Sequence, residues 1–237
     1  MSMTFRPTTH AERDQVVAAV QTLLSDTGAD PMLLTLCTAV LVPTMTAYVA
    51  ARAALPEKYA AARAASDAAD AADANFDRDL RLLSASVRDS HGRTQPRLLA
   101  DMIGGLLPSA LTRLPYREEI NKGNTLLTNL KGRADLGVNP DRISAFETSL
   151  TALQFAVLAD EVASRDSTRA GAEQREAGVA FDLAYSRLLR ALRGYLGESA
   201  MAAFLPRFVR HEDEEPTEVG KALPTLPLEP EAGSSPA

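Results

Sequence analysis

Two aspartates, Asp73 and Asp160, are the acids best placed for chemistry, because each falls on one of two long helical stripes. A carboxylate on such a stripe has two ordinary uses. It stays hydrated where the seam is thin, or it fixes helix register as a polar contact and accepts an arginine from a neighbouring helix. Three arginines, Arg187, Arg190 and Arg193, lie close together in RLLRALRGYLGESAMAAFLPRFVR. They read as the solvated face of a core helix, or as a basic amphipathic surface for an anionic lipid or an acidic helix. Leu223, Leu226 and Leu228 sit in LPTLPLEP, where prolines hold the chain extended and leucines offer a docking peptide.

Catalytic signatures are lacking. The histidines His10, His91 and His211 fall in expected loops, and none forms the Glu-x-x-His pair of a carboxylate-bridged metal bundle. Gly104-Gly105 lacks the preceding strand and the Lys-Ser/Thr of a phosphate-binding loop. There is no Gly-x-Ser-x-Gly, and the single cysteine, Cys37, lies on an apolar stripe as a small core residue. No catalytic, cofactor or metal site is expected, so the sequence points to a non-enzymatic protein.

The elements that carry these residues follow from composition and period. Hydrophobic residues make up 46% of the 237, aromatics only 5%, and there is no tryptophan. Alanine dominates, leucine and arginine are frequent, and these residues and glutamate lose little freedom in a helix, so the chain is expected to be all-α. One track of three- and four-residue steps runs from Leu34 to Val87 through Thr44, Lys58, Ser66 and Asp73. A second, cleaner track runs from Ile143 to Tyr195 through Asp160, Ser167, Gly171 and Gln174. Steps of three and four place side chains on one face of a helix. Each track opens on an N-cap and a first-turn proline, Asp30-Pro31 and Asn139-Pro140.

Long helices over about 31–90 and 140–196 are therefore expected, each roughly 80 Å long at 1.5 Å per residue. A local connection joins them most simply as an elongated antiparallel hairpin, with short helices between 97 and 131. Pro43 and Pro56 interrupt the first track and are expected to bend it, since an interior proline removes one ladder hydrogen bond. Both tracks are rich in large apolar residues at their ends and poor between Lys58–Asp73 and Asp160–Gly178. Small side chains bury little area there, so this waist is expected to be open or covered by a partner.

The expected domain plan is an irregular N-terminus over 1–10, one helical-bundle domain over 11–210, and a disordered acidic, proline-rich tail over 211–237. Residues 1–210 carry 24 basic and 24 acidic side chains, whereas the tail has one lysine against seven acids, which accounts for the net charge of −6. A neutral body has no footprint for nucleic acid. One cysteine and no apolar leader fit a cytoplasmic protein. Pro31–Ala51 lacks any charge over 21 residues, but Pro43 and several hydroxyl side chains make it a better buried helix than a membrane span. The leading expectation is a helical scaffold that binds protein, through self-association or another helical protein. The alternative is a membrane-associated protein using residues 31–51 or 187–210.

Overall fold

In a computed structural model residues 2–91, 95–133 and 136–210 are described, and most of them are helical. The elements are β1 (Ser2–Thr4), α1 (His10–Ser25), α2 (Pro31–Val40), α3 (Val42–His91), α4 (Gln95–Met102), α5 (Pro108–Leu111), α6 (Tyr116–Lys131), α7 (Pro140–Leu196), α8 (Glu198–Met201) and β2 (Phe208–Arg210). Packing divides them into two compact units, residues 2–41 with 182–210 and residues 42–181, where the sequence suggested one domain over 11–210. The tail, with its leucines, lies outside the described residues.

In the first unit, Thr9 and Glu12 form the expected capping box at the start of α1. His10 is the first residue of that helix rather than part of a loop. Val16, Val17, Val20 and Leu23 bury one face of α1, and Leu33 and Cys37 one face of α2. Arg13 grips Asp182 of α7 through two hydrogen bonds of 2.9 and 2.7 Å. Asp30 caps α2 through Met32 and Leu33, and it accepts a hydrogen bond from Tyr195 at 3.1 Å. The N-terminus is not irregular: Ser2–Thr4 pairs antiparallel with Phe208–Arg210, and Phe5 is buried beneath the Arg207 guanidinium.

The first long track is not one helix. Pro43 has no N–H to give the Ala39 carbonyl, and α2 ends at Val40 with Leu41 as its C-cap. Pro56, by contrast, is accommodated inside α3. Among the described residues no single helix is long and apolar enough to cross a membrane, and the charge-free segment 31–51 is split at this break.

The second unit is built on α3 and α7, which pack antiparallel as expected. Phe76 meets Phe146 and Tyr48 meets Phe181, each pair with ring centroids 5.3 Å apart. Helix α6 lies across both. Arg117 chelates Glu161 of α7 with two 2.7 Å bonds, and Lys131 reaches Glu147 at 2.6 Å. Gly123 lets α6 come this close, because a Cβ there would lie 2.8 Å from Leu150 and 3.3 Å from Phe76.

The thin waist is partly closed by the fold itself. Ser167, Gly171, Gln174 and Gly178 of α7 are buried. A Cβ on Gly171 would sit 3.2 Å from the Tyr59 hydroxyl, so small seam residues serve close approach. The α3 seam also departs from the expected track: Lys58 and Ser66 are exposed, while Ala62, Ala65 and Ala69 turn inward.

Candidate functional site

Helix α7 carries an exposed stripe beside its packed seam. Phe155, Leu158, Val162 and Val179 are 50–69% exposed, unusual for large apolar side chains on one helix face. The steps of three and four continue from Leu158 through Val162, Arg165, Arg169, Ala172, Glu176 and Val179, and every one of these residues is exposed. Around Leu158 and Val162 the stripe borders a shallow groove completed by Ala61 and Lys58 of α3 and by Asp166. Asp166 holds Lys58 at 3.9 Å, so the groove has an apolar floor and a charged rim.

Elsewhere in this unit three carboxylates converge. Asp73 and Asp77 stand one turn apart on α3, and Glu119 comes from the first turn of α6; one oxygen from each lies within 4.8 Å of the others. Asp73 and Asp77 are half-buried, while Glu119 is 1% exposed. The Oδ1 atoms of both aspartates and Oε1 of Glu119 are buried and receive no hydrogen bond from any described residue. Arg81 touches Asp77 at 3.5 Å through its other oxygen. Burial, together with the charges of Asp73 and Asp77 and a hydrogen bond with Asp73, pushes the Glu119 carboxyl up to about 8. Burial and the Asp73 charge also raise Asp77. Beside the cluster, the Tyr116 hydroxyl donates to Asp70 at 2.6 Å, a bond that lifts the phenol to about 12.

The expected site residues are thus distributed. Asp73 belongs to the carboxylate cluster, and Asp160 is half-buried on α7 apart from it. Arg187, Arg190 and Arg193 are exposed on the last turns of α7, in the other unit. Their basic stretch is not one amphipathic helix, because Gly197 takes φ 78° after Leu196 and Phe208–Arg210 is a strand. Leu223, Leu226 and Leu228 lie outside the described residues.

Glu119 and the exposed stripe went unrecognised in the sequence, though each left a signal. Tyr116, Glu119, Gly123, Leu126 and Leu130 follow three-four steps, which puts the glutamate on the inward face of α6. The stripe from Leu158 to Val179 runs in its own steps of three and four, one or two positions beyond the buried seam.

Cys37 is the remaining reactive side chain. It is fully buried, and burial pushes its thiol up to about 11. A thiol that is neither ionised nor accessible is a poor nucleophile. An aromatic disulfide reagent at pH 8 is therefore expected to leave Cys37 unmodified in the folded protein and to label it within seconds in concentrated urea. Rapid labelling without denaturant would contradict this placement.

No family model, curated protein or solved structure matches this chain.

Proposed function

We propose that this protein is a self-associating helical scaffold, in which a second copy covers the exposed stripe of α7. One observation carries the reading: the stripe is its own complement. The spacing is mirror-symmetric about a point between Ala170 and Gly171, in the order Val162, Arg165, Arg169, Ala172, Glu176, Val179. Two copies of α7 laid antiparallel across a two-fold axis set Val162 against Val179, Arg165 against Glu176 and Arg169 against Ala172. An isologous interface requires that a surface complement itself in this way. The apolar pairs supply burial, and the opposite charges fix register more than affinity.

The test is a charge swap read by sedimentation equilibrium on the full-length chain. The wild type is expected to be a dimer at micromolar concentration. Arg165→Glu is expected to weaken dimerisation at least about tenfold, which corresponds to about 1.4 kcal/mol. Glu176→Arg in the same chain is then expected to restore it. Val162→Glu serves as a second disruption at an exposed site that leaves the fold intact. A wild type that stays monomeric, or a swap that fails to rescue, overturns the proposal. If the monomer instead floats with anionic vesicles and loses that binding when Arg187, Arg190 and Arg193 become alanine, a membrane surface replaces the second copy as partner.

A further inference from the structure

We propose that Asp73, Asp77 and Glu119 form a binding site for one hard divalent cation of the calcium, manganese and magnesium class. The inference is independent of self-association, since these residues lie on α3 and α6 and the stripe on α7.

Buried carboxylate oxygens almost always find a donor, because an uncompensated charge away from water is costly. Here each of the three acids has one such oxygen without a donor among the described residues, and the three side chains bring carboxylate oxygens within 4.8 Å of one another. Glu119 is decisive. It is almost fully buried, on the face of α6 that carries Gly123, Leu126 and Leu130 into the core, a position at which an apolar residue would be expected. The surroundings supply little positive charge. Arg81 engages only Asp77, and Lys122 on the next turn of α6 reaches the Ile103 carbonyl at 3.5 Å. The cluster therefore holds its acids either by keeping protons or by binding a cation.

The donor set selects the cation. Oxygen-only carboxylate ligands without histidine or cysteine favour calcium, magnesium or manganese over zinc or copper. The spread is compatible with a single ion: oxygens around one cation at about 2.4 Å lie no more than about 4.8 Å apart, and the three carboxylates bring one oxygen each within 4.8 Å of the others. Three protein ligands leave room for waters, and the half-buried aspartates provide the open side through which an ion enters. The i, i+4 spacing of Asp73 and Asp77 puts two ligands on consecutive turns of a rigid helix, and Glu119 closes the site from α6. Binding would then tie α6 to α3.

The experiment uses the full-length protein stripped with a chelator and titrated at pH 7.5 with calcium, manganese or magnesium chloride. Isothermal titration is expected to show one ion per chain, with protons released on binding, because ligation needs the ionised acids. The heat measured in two buffers of different ionisation enthalpy counts those protons. Glu119→Gln is expected to weaken binding by more than about tenfold while folding normally, since it keeps the shape and removes a buried charge. Asp77→Asn, on the more open side, is expected to do the same and covers the case in which the glutamine variant fails to fold. Broadening of the manganese resonance signal provides a binding readout that does not depend on stability. No binding of any of the three ions at millimolar concentration overturns the site. Binding that is unchanged in both variants overturns it as well, by placing the ion elsewhere.

Discussion

Phe76→Ala is expected to destabilise the unit over residues 42–181 by about 3–5 kcal/mol, the usual cost of emptying a phenylalanine site in a core. Phe76 has no exposed surface, stacks against Phe146 at a centroid distance of 5.3 Å, and fills the space that Gly123 leaves open on α6. The ring therefore sits where α3, α6 and α7 meet, and none of the three can close on the hole without moving the others. Domains are commonly stable by only about 5–15 kcal/mol, so this one change is expected to consume a large fraction of the total. Urea unfolding followed by circular dichroism measures it as a lower midpoint at constant slope. Leu82→Ala is the control. It lies on the same helix but is 38% exposed, and its expected effect is within about 1 kcal/mol. Equal losses for the two variants would contradict the assignment of Phe76 to the helix junction.

The second large effect concerns pH. With divalent cations removed, the protein is expected to lose thermal stability as pH rises from 4.5 to about 8, the range over which Glu119 titrates. Its folded carboxyl holds the proton more tightly than the unfolded one. That preference stabilises the fold fully below 4.5 and is lost as pH rises through about 8. Asp77, also raised, contributes with the same sign. The charged and titratable groups that act on Glu119 and Asp77 are Asp73 and Arg81 on α3, and Tyr116 on α6 feels both Asp73 and Glu119. The phenol of Tyr116, held near 12, stays protonated throughout this window. Melting curves in chelator at several pH values are expected to show a falling midpoint for the wild type and a much flatter profile for Glu119→Gln. A wild-type midpoint that holds steady from pH 5 to 8 would show that Glu119 ionises without penalty.

Much of the architecture is written in the period of the chain. Asp30-Pro31 and Asn139-Pro140 open helices because a capping carboxylate or amide followed by a proline suits a first turn and little else. The second track is buried from Phe146 to Leu192 at almost every expected position, half-buried Asp160 and exposed Ser164 being the exceptions, because an uninterrupted three-four frame admits one inward face. Antiparallel pairing of the two long helices followed from needing only a local connection between the end of one and the start of the other.

What period could not decide was how each proline and each polar seam residue would be used. Pro43 ends a helix and Pro56 does not, although both remove the same hydrogen bond. The weak α3 seam turned by one position, to Ala65 in place of Ser66, since alanines so closely spaced offer several inward faces of nearly equal value. The strand pairing of Ser2–Thr4 with Phe208–Arg210 joins segments about 200 residues apart, and nothing local announces it. Asp73 stood out in the sequence as an acid on a seam, whereas its partner Glu119 lies 46 positions on and in another helix. Helical frame alone determined the all-α fold and the inward faces of its long helices. Only tertiary packing, by setting α6 against α3 at Gly123, brought the buried Glu119 together with the half-buried Asp73 and Asp77.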